Sequence, residues 1–314
     1  MNPFYAKVML FGEYSLMDGS AALTLPYRKK RSLLTMGVDD ARKTVQQKAS
    51  NSQLYVFHQY LQELDHQGAF SGVMHLESMK ADLAGGLWLQ SDIPTGYGLG
   101  SSGSLVAAVF DRYALPEWKN RPLTDGDLPG QLIAIFALME SFFHGSSSGI
   151  DPLCSYINKA ILSKVEKAGV SVISMRSALH AEGSGFFLLD TGLQRQTAPL
   201  VSLYHQKKKD AAFSSMLKSR YIPCVNSCIE ATTGSHPSGL DQQMRELSGL
   251  QFTYFSEMIP GGFLEAWERG FTSGSYSLKL CGAGGGGYIL GYTRNFSQAS
   301  AQLSQLAITI PEKL

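Results

Sequence analysis

Between positions 94 and 104 the chain reads PTGYGLGSSGS and runs directly into the apolar stretch LVAAVF. Three spaced glycines let a backbone approach a ligand closely and adopt positive φ. A helix that starts just after them presents unpaired N–H groups and the positive end of its dipole, which suits an anion. The serine hydroxyls can cap that helix, touch phosphate oxygens or ligate Mg²⁺. The segment lacks the Gly-Lys-Ser/Thr of a Walker loop and does not hold the Rossmann glycines in their usual register. Composition alone leaves a plain strand-to-helix turn with a serine cap equally open.

A second glycine run, CGAGGGG at positions 281–287, lies between the apolar stretches KL and YILGY. Consecutive glycines weaken a strand, so a tight loop closely approached by other backbone is the natural reading. Elsewhere, strands are expected over 6–11, 21–27, 170–175 and 186–190, with one or two more across 73–92. Helices are expected over 54–66, about 102–115, and 129–144 with Pro129 near its start, and a further helix from Pro152. Residues 39–53 read as a polar loop or hairpin tip, and 180–185 (HAEGSG) as a linker. This mixture is α+β rather than a regular βαβ series.

Hydrophobic residues make up 44% of the 314 and charged residues 17%, enough for a sizeable core. The formal net charge of +1 gives no basic surplus for nucleic acid. Lys207-Lys208-Lys209 reads as a solvated turn, and the four cysteines, at 154, 224, 228 and 281, as reduced buried thiols rather than a zinc set. No apolar run is long enough for a membrane span, and the first residues are not expected to act as a secretory leader.

A site that acts on phosphate groups would need positioning, charge neutralisation and a proton acceptor. Two carboxylates occupy suggestive places. Glu140 continues the apolar helical face Ile133, Phe136 and Ala137, where a carboxylate is costly unless paired or bound to a cation. A glutamate at the rim of that face, reaching solvent, remains the alternative. Asp151 precedes Pro152 at a helix start and can be an ordinary N-cap.

Taken in order, these segments resemble the GHMP kinases. Lys7-Val8-Met9-Leu10-Phe11-Gly12-Glu13-Tyr14 resembles the family's first motif, the glycine loop at 94–104 its phosphate-binding motif, and Lys279-Leu280-Cys281-Gly282-Ala283-Gly284-Gly285-Gly286-Gly287-Tyr288 its third. Glu140, His144-Gly145 and Ser148-Gly149-Ile150-Asp151 also match mevalonate kinases, with the Asp eleven residues beyond the Glu. A second Ser-Gly-x-Asp, ending at Asp241, lies outside the usual order and reads as a helix cap.

The resemblance implies an N-terminal ribosomal-protein-S5-like domain (1–180) and a C-terminal ferredoxin-like domain (181–314), with the active site in the cleft between them. It implies that ATP and Mg²⁺ are the cofactors. Asp151 and Lys7 are then catalytic. Gly96, Gly98, Leu99, Gly100, Ser101, Ser102, Gly103, Ser104, Gly284 and Gly285 line the phosphates. Ser102, or its neighbour Ser101, ligates Mg²⁺ with Glu140, while Glu13 and Tyr14 face the substrate. Tyr14 and Asp18-Gly19 replace the His and Tyr-Gly usual in mevalonate kinases, which leans toward phosphomevalonate kinases, as does GLGSSGS. The expected activity is transfer of the γ-phosphoryl of ATP to a small alcohol, foremost mevalonate. Phosphomevalonate, homoserine or a sugar, or a non-catalytic nucleotide-binding role, are the alternatives. The expected setting is cytoplasmic, without nucleic acid or membrane; a homodimer is left open.

Overall fold

The computed structural model describes residues 2–37, 44–123, 128–164, 169–173, 183–194, 197–234, 239–306, 308 and 312–313. The chain divides into two compact units. Unit 1 comprises Met1–Lys7, Pro26–Pro94 and Leu99–Lys159, and unit 2 comprises Val8–Leu25, Thr95–Gly98 and Ala160–Leu314. The expected linker at 180–185 falls partly on residues outside those described.

Two strands are divided between the units: β1 (Phe4–Phe11), a largely buried run that is apolar apart from Lys7, and β2 (Ala21–Met36). In unit 1 the far half of β2 pairs antiparallel with β3 (Leu87–Ser91), from Ser32 opposite Ser91 to Met36 opposite Leu87. Helix α1 (Val45–His66) starts well before the expected 54. Thr44 caps it, accepting from the Gln47 N–H, while the Gln47 side chain accepts from the Thr44 N–H. This capping box starts the helix through polar residues that bury little; the apolar face (Leu54, Phe57, His58, Leu61) begins only later. Residues 39–43 of the expected loop lie outside those described.

Helix α2 (Leu76–Ala84) occupies a stretch expected to be strand, and only β3 keeps that character. Met79 and Leu83, four residues apart, put both buried side chains on one helical face, a period that outweighs the short alternation near them.

Helices α3 (Ser101–Tyr113), α4 (Pro116–Lys119), α5 (Leu128–His144) and α6 (Ile150–Ile157) complete unit 1. Helix α3 packs on both α5 and α6. Its approach to α6 depends on Gly103, where a Cβ would lie 2.9 Å from the Asp151 carbonyl carbon and the Pro152 nitrogen. The entry to α6 depends on Gly149, at φ +70°, where a Cβ would lie 2.2 Å from the Ile133 carbonyl oxygen.

In unit 2 the near half of β2 pairs antiparallel with β4 (Ala160–Lys164), which pairs with β5 (Gly169–Ile173). A second antiparallel sheet has the order β7-β8-β6-β9, from β6 (Gly185–Asp190), β7 (Ser277–Leu280), β8 (Tyr288–Thr293) and β9 (Glu312–Lys313). Its helices are α7 (Thr197–Lys207), α8 (Ala211–Met216), α9 (Ile222–Thr233), α10 (Leu240–Tyr254), α11 (Leu264–Ser273) and α12 (Phe296–Ser304). Buried aromatic side chains, among them Phe187, Tyr204, Tyr221, Phe255 and Trp267, fill the core. Asp241 lies in the first turn of α10, where Gly239 is the N-cap; it pairs with Arg294 at 3.5 Å instead of capping the helix. The lysine run is not a fully solvated turn: Lys207 pairs with Glu257, and Lys208 with Asp18.

Gly145 and Gly149 separate backbone strain from steric overlap. Both have positive φ, but a Cβ on Gly145 meets nothing within 4 Å. Gly145→Ala is expected to cost about 1–2 kcal/mol, the penalty for an L-residue in the left-handed region. Gly149→Ala adds overlap with the α5 backbone and is expected to cost clearly more. Urea unfolding of both variants checks the order.

Candidate active site

The centre of the site in unit 1 is an ion pair. Lys7 Nζ, on β1, lies 2.7 Å from Asp151 Oδ2, in the first turn of α6. Lys7 is buried and the Asp151 side chain keeps 28% exposure, so the carboxylate has an open side. The Lys7 main-chain N–H donates to the Leu99 carbonyl oxygen at 2.9 Å, tying β1 to the glycine loop. Gly100 makes room for the lysine: at φ +70°, a Cβ there would lie 2.8 Å from Lys7 Cγ. Gly100 and Gly103 therefore clear space for Lys7 and Asp151 respectively, beyond any approach to phosphate.

Gly100 is also the N-cap of α3, and no side chain caps that helix. The first turn of α3 thus combines a positive dipole end with backbone donors, the arrangement that binds anions. The Ser104 hydroxyl is already committed, donating to the Ser101 carbonyl at 2.9 Å.

Glu140 is buried at 3% exposure. The Ser102 hydroxyl donates to its Oε1 at 2.8 Å and the Ser147 hydroxyl to its Oε2. Burial, then the negative charge of Asp151, pushes its carboxyl up to about 7, against the pull of the two serine hydrogen bonds and Lys7. His144 Nε2 lies 3.1 Å from Ser102 Oγ. With the Ser102 hydroxyl given to Glu140, this contact needs the proton on Nε2. Burial pushes the His144 imidazole below its ordinary value, favouring the neutral ring.

Two carboxylates and one ammonium leave the cluster short of one positive charge when both acids are ionised. A carboxylate and a hydroxyl, both hard oxygen donors, fit Mg²⁺. Glu140 and Ser102, 2.8 Å apart, present such a donor pair. Among the described residues no cluster of three His, Cys, Asp or Glu side chains forms a complete metal cage.

Glu13 and Tyr14, expected to face the substrate, lie in unit 2 and are both buried. Glu13 forms an ion pair with Lys279, which is completely buried on β7. Burial pushes the Glu13 carboxyl up, against the pull of Lys279. Tyr14 sits at φ 61°, ψ −51°, with the Ser15 N–H bonded to the Glu13 carbonyl at 2.6 Å. These are the marks of a classical γ-turn, rare and strained for a bulky residue. The Tyr14 ring stacks on Tyr204 at 4.6 Å and on Phe255 at 6.0 Å, and its hydroxyl donates to the Ala283 carbonyl.

The glycine loop at 284–287 is packed rather than loose. A Cβ on Gly284 would lie 2.5 Å from the Met258 carbonyl oxygen, and one on Gly285 2.7 Å from a Leu200 methyl. A Cβ on Gly287 would lie 2.7 Å from the Tyr97 backbone, so this loop meets the start of the 94–104 loop, which holds Gly96 and Gly98, inside unit 2.

The structure thus gathers Lys7, Leu99, Gly100, Ser101, Ser102, Gly103, Ser104, Glu140 and Asp151 in unit 1, and Glu13, Tyr14, Gly96, Gly98, Gly284 and Gly285 in unit 2. Sequence reasoning assigned no role to Ser147, His144 or Lys279. A lysine inside the apolar run SLKLCG is the one local signal that marked Lys279 as unusual.

Fold and site together resemble one class, the GHMP kinases. Residues 59–159 match the family model described as GHMP kinases N terminal domain. Among individual proteins, the chain is 25% identical over 247 residues to a mevalonate kinase of Dictyostelium discoideum. That match covers 71% of this chain and 61% of the relative's length. In fold it is similar to L. major mevalonate kinase, solved in complex with R-mevalonate: TM-score 0.65, 22% identity, 98% of this chain and 90% of that one. It is equally similar to Streptococcus pneumoniae phosphomevalonate kinase, solved with phosphomevalonate and AMPPNP: TM-score 0.65, 18% identity, 100% and 99% coverage. The GHMP-kinase fold expected from the motifs is the fold observed.

Two measurements probe these charges. The Glu140 carboxyl titrates higher when folded, up to about 7 against an ordinary 4.5, so the folded state binds the extra proton. Without divalent cation, its contribution to stability is full below about pH 4.5 and lost as pH rises through about 7. Glu140→Gln should flatten that part of the stability–pH curve. For the buried pair, Glu13→Ala should cost about 3–5 kcal/mol by stranding the Lys279 charge, while Glu13→Leu with Lys279→Met should recover most of the loss. Chemical denaturation of the two variants tests this; equal losses in the single and the double variant would contradict it.

Proposed function

We propose that the chain is a small-molecule kinase that transfers the γ-phosphoryl of ATP to an alcohol, with mevalonate as the foremost acceptor. The observation that carries this reading is the Lys7–Asp151 ion pair, in the same unit as the uncapped start of α3 and the Ser102–Glu140 pair. The first turn of α3, with Ser101, Ser102 and Gly103, binds the phosphate oxygens through backbone donors. Gly96, Gly98, Gly284 and Gly285 belong to the same proposed phosphate-binding set.

Asp151, held by Lys7, orients the acceptor hydroxyl and takes its proton as the oxygen attacks phosphorus. Lys7 stabilises the charge that builds on the transferring group. Ser102 and Glu140 would hold Mg²⁺, which when bound offsets negative charge on the phosphates. Ser147 and His144 hold these two ligands in place from behind, through Glu140 Oε2 and Ser102 Oγ.

Mevalonate is favoured by the Glu140…Ser-Gly-Ile-Asp151 spacing and by the mevalonate kinase relative. Phosphomevalonate is the second reading, favoured by Gly12-Glu13-Tyr14 and GLGSSGS. A cytoplasmic location goes with either acceptor, and among the described residues no helix is long and apolar enough to cross a membrane.

ADP release with Mg-ATP and each acceptor in turn tests the assignment. Turnover is expected with mevalonate and little with phosphomevalonate; the reverse selects the second reading, and silence with both removes the proposal. Asp151→Asn is expected to leave ATP affinity within a few-fold and to cut kcat by about 10²–10⁴, the usual contribution of a positioned proton acceptor. Near-normal turnover would take Asp151 out of the mechanism.

A further inference from the structure

Tyr14 holds a backbone conformation that tyrosine avoids. It sits at φ 61°, ψ −51°, inside a turn closed by the Ser15 N–H on the Glu13 carbonyl at 2.6 Å. Strain of this kind persists where the surroundings over-determine it, and it gathers where a site needs a fixed geometry. In an extended chain, successive side chains point to opposite sides. The turn instead sends the Glu13 and Tyr14 side chains to two successive residues of one loop. The Tyr14 hydroxyl donates to the Ala283 carbonyl oxygen at 2.7 Å, in a buried setting. Burial raises the neighbouring Glu13 carboxyl, and Lys279 and the Gly282 main chain are among the groups that pull it down. All of these residues lie in unit 2.

The loop that receives these contacts is pinned again further along. The Gly285 N–H donates to the Met258 carbonyl oxygen at 2.6 Å, and the Gly287 N–H to that of Leu193 at 2.6 Å. Thr191 donates to the Gly287 carbonyl from its N–H at 2.9 Å and from its hydroxyl at 2.7 Å. The Tyr14 ring is held in turn. It stacks on Tyr204, whose hydroxyl donates to Asp18, and Asp18 also pairs with Lys208. Leu200 lies four residues before Tyr204 on α7 and is the side chain that a Cβ on Gly285 would meet. One face of α7 therefore backs both the tyrosine and the loop.

We propose that Tyr14 is a positioning residue for the loop 282–287: its hydroxyl fixes the start of that loop in the shape that receives nucleotide phosphates. This role rests on the kinase reading above, in which Gly284 and Gly285 belong to the phosphate-binding set. It replaces the expected contact of Tyr14 with substrate by an indirect one, through the Ala283 carbonyl. A phenylalanine at this position keeps the ring and its stack but has no donor, so the loop loses one anchor while the aromatic core stays filled.

Tyr14→Phe tests the role against Tyr276→Phe. The second change removes a bond of the same kind, from a buried tyrosine hydroxyl to the Ala266 carbonyl at 2.8 Å, on α11 rather than on the glycine loop. Calorimetric titration of the full chain with Mg²⁺ and a non-hydrolysable ATP analogue reads nucleotide affinity. Tyr14→Phe is expected to weaken it about fivefold, the worth of one neutral hydrogen bond, and Tyr276→Phe to leave it unchanged. Amide hydrogen exchange across 282–287 in the nucleotide-free chain is expected to speed up in Tyr14→Phe and not in Tyr276→Phe. Wild-type affinity in Tyr14→Phe, equal weakening in both variants, or unchanged exchange in the loop would overturn the role while the kinase reading stands. A wild-type chain that binds no analogue would instead remove the kinase reading, and the role toward nucleotide with it.

Discussion

The unit 1 site depends on a charge imbalance around one ion pair. Lys7 is buried and bound to Asp151, and Glu140 is buried close enough for the Asp151 charge to raise its titration. One ammonium cannot balance both acids. The cluster answers in part with hydroxyl donors from Ser102 and Ser147, which satisfy the Glu140 oxygens without adding charge. A hard cation would relieve the remaining imbalance, which is the electrostatic ground for the proposed Mg²⁺ site.

The surrounding backbone is shaped to permit this pair. Gly100 leaves the corridor for the Lys7 stem, Gly103 lets α3 approach the Asp151 backbone, and Gly149 turns the chain into α6 against the α5 main chain. A motif that looks like a generic phosphate loop thus has a second geometric duty toward its own lysine and aspartate. In unit 2 a comparable burden falls on the Glu13–Lys279 pair and on the aromatic stack that holds the strained turn at Tyr14.

Legibility in the sequence follows the range of the interaction. Strand β1, helices α3 and α5, and strand β6 are continuous apolar runs with clear punctuation, and local pattern suffices for them. The first half of α1 is polar, set by a capping box and buries little, so hydrophobic period is silent there. Helix α2 is short, with only Met79 and Leu83 to betray its period beside a true strand. The order and spacing of motifs singled out Lys7, Ser102, Glu140 and Asp151, and Glu140 stood out as well as a carboxylate on an apolar helical face. Ser147 was hidden as one of three adjacent serines. The Glu13–Lys279 pairing joins residues 266 apart, and no local rule connects them.

The most direct test of this account is a crystal structure with Mg²⁺ and a non-hydrolysable ATP analogue. The account predicts metal bound by Glu140 and Ser102, the β- and γ-phosphates on the first turn of α3, and the γ-phosphate beside Lys7 with Asp151 facing its open side. A metal held without Glu140, or phosphates bound away from α3 and Lys7, would contradict it.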